Sequence, residues 1–374
     1  MSVYIRGIET EKLYENGKEA EIITPFDPKL VDIESKPMVL SNIVDRLKND
    51  GIVLDPNFQR NPDLWDKQKQ SRLIESLLIR IPLPIFYFDM SEDEKLIVVD
   101  GLQRLSAIKN FMATASDEDN CLRLQGLEYL KELEGKSFDE LAPNLQRRLR
   151  EQTIQVYLIK AGTPDNVKNS IFERINTGGL ILTSAEIKNS VYRGRASELL
   201  KNMAETKEFV EATNKKITPT RMLDREFANR FLAFYLLDIK EYHENLDDFM
   251  REVLSRVKND NSIDCDLIVA AYKKALKLAS DVFGKNAFKR IGKNGKYTGI
   301  NKPLFEAVTV QFAVLSDKER KKLIKNKEKF LTRFNKLLCD EKFIEVITNG
   351  TARLTSVKYR HGEIERIIGE SLEK

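Results

Sequence analysis

Every run that reads as a β-strand lies in the first 160 residues: Ile52 to Leu54, Pro84 to Asp89 (PIFYFD), Lys95 to Val99 (KLIVV) and Thr153 to Lys160 (TIQVYLIK). Runs that are β-branched, aromatic or alternating suit a pleated, half-buried surface, so any sheet belongs to the N-terminal half. Helical spacing separates them. Ser41 is placed to cap a helix to about Asn49, with Ile43, Val44 and Leu47 on one face and Gly51 as its stop. A second helix, from Asp66 to about Ile79, carries Leu73, Ile74, Leu77 and Leu78 and is ended by Pro82 and Pro84. Asp100-Gly101 opens a third through Met112. A fourth runs from about Pro164 to Ile175, and Thr183 or Ser184 caps a fifth with Glu186 placed for a capping box. From Tyr192 onward the pattern is almost wholly helical, with one glycine-rich break at Gly292 to Gly299.

The expected fold class is therefore α+β, an α/β domain followed by a mostly α-helical one. At 374 residues the chain has room for two or three domains. Residues 1–37, punctuated by Pro25, Pro28 and Pro37, read as an irregular arm. Residues 38–195 read as the α/β domain, with a polar, acidic insertion at about 113–150 that holds a short helix near Leu141 to Leu149. Residues 196–374 read as the helical domain.

Composition excludes several classes. With 41% apolar and 32% charged residues the chain is too apolar for a disordered protein. No stretch approaches the 18 apolar residues of a membrane span, and Met1 to Glu15 lacks a signal pattern, so the expectation is a cytoplasmic protein without membrane attachment. Cys121, Cys265 and Cys339, with His243 and His361, offer no zinc-ligand spacing, and their number argues against disulfides.

Charge is unevenly divided. Residues 1–190 hold 25 Lys and Arg against 31 Asp and Glu, whereas residues 191–374 hold 37 against 27. The densest basic run, Lys318 to Lys336 (KERKKLIKNKEKFLTRFNK), reads either as a footprint for phosphate backbones or as the solvated face of an amphipathic helix.

Three motifs carry candidate chemistry. In Asp100-Gly-Leu-Gln-Arg104 a strand ends in a carboxylate, a glycine permits a tight turn and a helix begins, so an anion could sit beside the arginine fork. Equally, Asp100 could only cap the helix and Arg104 pair with a surface carboxylate. Arg60, ahead of Trp65, reads as following an extended Pro-containing segment on a loop where a phosphate contact is physically easy, while Trp65 itself reads as packing rather than a stacking platform. Phe172 to Gly179 (FERINTGG) places Arg174, Asn176 and Gly178 where backbone amides can form an anion-binding concavity or a helix C-cap. No G-x-x-x-x-G-K-[ST] sequence supports a P-loop, and two histidines do not support an HNH-type metal nuclease within the chain.

These pieces, in order, resemble the N-terminal domain of the GmrSD-type restriction family: Asn57-Phe-Gln-Arg60 with Trp65, Arg80 to Ile85 (RIPLPI), Asp100-Gly-Leu-Gln-Arg104, and FERINTGG leading into Leu182-Thr-Ser-Ala-Glu186. Arg221, Asp224, Glu226 and Arg230, and then Lys358 to Arg360, are similar to the family's helical region more loosely. Where the family signature has a glutamine this chain has Leu102. The resemblance implies a ParB/sulfiredoxin-like fold for the first domain. It also implies a nucleotide-responsive subunit of a prokaryotic restriction or anti-phage defence system: Asp100, Gln103 and Arg104 in catalysis, and Gln59, Arg60, Gly101, Arg104, Arg174, Asn176 and Gly178 on nucleotide phosphates. The implied cofactor is a nucleoside triphosphate of unassigned base, with Mg2+; no metal ligand is assigned. Implied partners are DNA and a separate nuclease or effector subunit, since no HNH domain is read here, and an oligomer is compatible. The alternatives are a non-catalytic DNA-binding module and a protein-interaction subunit of a defence or toxin pair.

Overall fold

The computed structural model describes residues 7–9, 11–13, 28–54, 65–90, 95–113, 121–175, 183–292 and 295–373. They fall into two compact units, Pro25–Val191 and a second formed by Met1–Thr24 with Tyr192–Lys374.

The first unit is built on a five-stranded mixed sheet. Its elements are β1 (Ile33–Val39), α1 (Leu40–Lys48), β2 (Ile52–Val53), α2 (Lys67–Leu78), β3 (Phe86–Met90), β4 (Leu96–Asp100), α3 (Leu102–Ile108), α4 (Pro143–Glu151), β5 (Thr153–Lys160), α5 (Asp165–Ile175) and α6 (Ser184–Val191). The strand order is β1-β5-β3-β4-β2, with β3 central. β3 runs parallel to β5 and antiparallel to β4, and β2 runs parallel to β4. The apolar stripes of α1 and α2 pack with Phe86, Phe88, Val98, Leu105 and Val156 in one core.

Three local readings are corrected. The arm expected to reach residue 37 ends in a strand, because Ile33 to Val39 pair antiparallel with β5 from Ile159 to Thr153. Five of its seven residues are exposed and include Pro37, which suits an edge strand. Ser41 does not cap α1. β1 runs straight into the helix, Val39 takes the N-cap position without a side-chain bond, and the Leu40 N–H donates to the Gln152 carbonyl at 2.7 Å. The polar insertion is not an addition to the scaffold: Leu122, Leu124, Leu127, Leu133, Phe138 and Leu141 belong to the same core as the sheet. Its organiser is Glu75 of α2, a buried carboxylate that accepts the N–H groups of Glu128, Tyr129 and Leu130 at 2.9, 2.7 and 2.8 Å. Burial pushes the Glu75 carboxyl up, but these three backbone donors more than reverse it.

The second unit holds α7 (Arg195–Ala204), α8 (Lys207–Ala212), α9 (Leu223–Leu236), α10 (Leu246–Asn259), α11 (Cys265–Phe283), β6 (Lys289–Ile291), β7 (Tyr297–Ile300), α12 (Lys302–Ala313), α13 (Asp317–Lys325), α14 (Lys327–Leu337), α15 (Glu341–Thr348) and α16 (Leu354–Leu372). The glycine-rich break falls at a hairpin, β6 antiparallel to β7, with Gly299 inside β7, and the other elements of this unit among the described residues are helices apart from two isolated bridges. α9 and α12 are buried on nearly all sides, as central helices are. The arm closes onto them: Ile8 bridges Ile300, Lys12 bridges Asn349, and Glu11 reaches the interior. There Arg230 donates to Glu11 and Glu306 at 3.1 Å each, Arg360 donates to Glu306 at 2.9 Å, and Thr351 donates to Glu11 at 2.7 Å. Arg230 and Arg360, singled out in the looser part of the resemblance, therefore meet on one buried glutamate.

Candidate functional site

β4 delivers Asp100 to the end of the sheet beside β3, and the chain reverses at Gly101 into α3. Gly101 has φ +102°, and a Cβ there would stand 2.5 Å from Phe86 Cδ1. Only glycine fits both the left-handed backbone and that approach. No side chain caps α3, so Asp100 is not its N-cap, although the Gly101 N–H bonds the Asp100 carboxylate.

One turn along, Arg104 folds back. Its Nη2 donates to Asp100 Oδ2 at 2.7 Å and to the Ile85 carbonyl at 3.3 Å, its Nη1 donates to the Pro84 carbonyl, and its guanidinium carbon stands 4.4 Å from the Phe86 ring centroid. The partner of Arg104 is thus Asp100 itself, at i,i+4, rather than a separate surface carboxylate. Three of its five N–H groups are committed, which leaves Nε–H and one Nη1–H. Burial raises the Asp100 carboxyl above its ordinary range despite Arg104, and burial lowers the Arg104 guanidinium despite Asp100. Desolvation outweighs attraction on both sides of the pair.

Gln103 connects this turn to α2. Its Oε1 accepts the Trp65 N–H at 3.1 Å, and the Trp65 carbonyl accepts from Gln70 Nε2 at 2.8 Å. Gln103 Nε2 is shut off from solvent and has no hydrogen-bond partner among the described residues. A buried donor left unpaired costs about 1–3 kcal/mol. The Trp65 ring packs on the core with the Lys69 ammonium over it at 4.6 Å, in keeping with a packing role. Leu102, in place of the signature glutamine, also packs partly against the core.

Two residues not singled out from sequence flank the turn. Tyr87 is the register partner of both Asp100 and Tyr157, and the tyrosine rings stack with centroids 5.2 Å apart. Burial, then Tyr157 and Asp100, push the Tyr87 phenol up. Both tyrosines alternate with the buried Phe86, Phe88, Val156 and Leu158, a parity legible in the sequence. Further along β3, Asp89 pairs with Lys168 of α5 at 3.3 Å in the interior. Its signal was a lysine three residues before Ile171 on the apolar face of α5.

Gln59, Arg60, Asn176 and Gly178 lie outside the described residues. Arg174 is exposed in the last turn of α5, and among the described residues no hydrogen bond, ion pair or ring contact joins it to the Asp100 to Arg104 turn. The expected capping box of α6 is present, with Thr183 Oγ1 accepting from the Glu186 N–H at 3.2 Å and Glu186 accepting from the Thr183 N–H at 2.6 Å. Among the described residues no group of three His, Cys, Asp or Glu is placed to hold a metal ion, and no helix is long and apolar enough to cross a membrane.

Residues 40–193 match the family model described as the GmrSD restriction endonuclease, N-terminal domain. No curated protein and no solved structure matches the chain. A domain of the GmrSD restriction type is therefore present, and it contains the Asp100 to Arg104 turn, the Tyr87–Tyr157 row and the Thr183–Glu186 cap.

Proposed function

We propose that the first unit, with a ParB/sulfiredoxin-like fold, binds a nucleoside triphosphate at the β4–α3 turn, as the nucleotide-responsive part of a DNA restriction or anti-phage defence system. The observation that carries this reading is the unpartnered Gln103 Nε2 beside the Asp100–Arg104 pair, within a restriction-type domain. A phosphate oxygen would satisfy the Gln103 amide, and Arg104, aligned by Asp100 and the Pro84 and Ile85 carbonyls, would offer its remaining N–H groups without reorganising. Such preorganised donors are the main source of catalysis when phosphoryl groups are transferred. Among the described residues of the turn, Asp100 is the carboxylate that would meet a nucleotide-borne Mg2+. Gln59, Arg60, Arg174, Asn176 and Gly178 would complete the phosphate contacts, and cleavage of DNA would fall to a separate nuclease or effector.

The test is thermal stability of the chain with ATP, GTP and CTP, each with and without Mg2+. One nucleotide at a hundred times its dissociation constant is expected to add about 2.7 kcal/mol. Gln103→Glu keeps the acceptor for Trp65 N–H but replaces the free donor with a carboxylate oxygen. It is expected to melt below wild type, because the new carboxylate oxygen is buried without a partner, and to show no nucleotide shift relative to its own unliganded melting point; an equal shift in both proteins would refute the site.

A second reading, a non-catalytic module in which Arg104 is a structural latch, is favoured by the three acceptors already bound to that guanidinium. Absence of any nucleotide shift in wild type would select it.

A further inference from the structure

We infer that the exposed lysine row of α13 docks the phosphate backbone of a nucleic acid. The choice of nucleic acid as the polymer rests on the restriction reading above; the surface itself is argued from its own residues. Ser316 caps α13 through a capping box with Glu319, and Leu323 is buried beneath the helix while Arg320 lies close against it. Lys318, Lys321, Lys322 and Lys325 then fall at i, i+3, i+4 and i+7, a single stripe on a helix of 3.6 residues per turn. All four are exposed, and among the described residues none has a carboxylate or other partner. The acidic residues between them do not neutralise the stripe. The Glu319 carboxylate is taken up by the Ser316 N–H and hydroxyl at 2.7 and 2.6 Å, and Asp317 by Arg320 at 2.8 Å and Lys274 at 3.5 Å. Lys329 and Lys336 extend the exposed positive charge onto α14, whose first turn holds the run's remaining acid, Glu328.

Neighbouring lysines of such a stripe stand about 5–6 Å apart at Cβ, and a duplex carries one charge per about 1.7 Å of its axis, so each ammonium can reach a phosphate. Flexible point charges without arginine forks or aromatic rings fit a sequence-independent backbone contact. A membrane surface fits less well, because an interfacial helix must bury a broad apolar face, and on α13 Leu323 is buried in the core and leaves Ile324 as the single exposed apolar side chain of the helix.

The test is fluorescence anisotropy of a labelled random-sequence DNA duplex with the full chain, between about 50 and 200 mM KCl. Converting Lys318, Lys321, Lys322 and Lys325 together to Gln should lower affinity at least tenfold and make the log–log salt dependence shallower by about 3 to 4, near 0.9 for each lost contact. Converting Lys201, Lys207, Lys215 and Lys240 to Gln, four exposed lysines elsewhere in the unit, should leave both unchanged. Unchanged affinity and slope in the α13 variant, an equal loss in the control, or displacement of the duplex by polyglutamate at equal charge would overturn the inference. The nucleotide thermal shift is read on the same α13 variant and should match wild type. Its absence from wild type would refute the β4–α3 site alone, while the salt slope decides this surface.

Discussion

Gly101 is the residue on which the geometry of the turn depends, because its backbone is left-handed and its missing side chain is the space that Phe86 occupies. Alanine there meets both a conformational penalty of about 1–2 kcal/mol and an overpacking penalty of about 1–3 kcal/mol. Gly101→Ala should therefore lower the urea unfolding free energy of the first unit by about 2–5 kcal/mol. Gly162→Ala, where a Cβ meets open space, should change it little. Equal stability of the two variants would mean that Phe86 yields readily and that the turn is not fixed by contact. Asp100, Gly101, Gln103 and Arg104 were legible as a group from their order in the chain. The closure of Arg104 onto the Pro84 and Ile85 carbonyls was not, because it joins residues about 20 apart through backbone atoms that no side-chain pattern announces.

At the scale of elements, the internal strands and the helices that pack on them were legible because hydrophobic periodicity reports burial directly. β1 was missed for the same reason: Glu34-Ser-Lys-Pro37 lies exposed at a sheet edge, so its pairing leaves no apolar alternation. The segment that follows α3 misled in the other direction. Its polar composition concealed leucines held in the core by one distant carboxylate, Glu75, and long-range backbone capture of this kind has no local signature. Glu75→Gln turns one accepting oxygen into a donor that faces a backbone N–H. It should cost about 1–3 kcal/mol and speed amide exchange across residues 121–135, whereas unchanged exchange would show that the leucines hold the segment unaided.

Across the whole molecule, the second unit carries most of the pH dependence that can be assigned. Burial pushes the Glu306 carboxyl up, but Arg360, His361 and Arg230 bring it down to about 2, so its stabilisation is complete above the ordinary value of 4.5 and is lost as pH falls from there toward 2. Burial holds the His361 imidazole below its ordinary 6.5, against the pull of Glu306. The unfolded chain therefore takes up that proton first, and stability declines once pH drops below 6.5. Urea unfolding of the second unit should weaken between pH 7.5 and 5.5 in wild type but not in His361→Gln, and weaken further in both below pH 4.5; a flat wild-type profile down to pH 4.5 would remove His361 from the account. Nucleotide binding by the first unit is tested by hydrogen exchange of the full chain with and without saturating nucleotide. Slowed exchange is expected in peptides covering residues 84–90 and 96–108, with α13 unchanged. Binding that leaves those peptides unprotected, or protects only the second unit, would contradict a site at the β4–α3 turn.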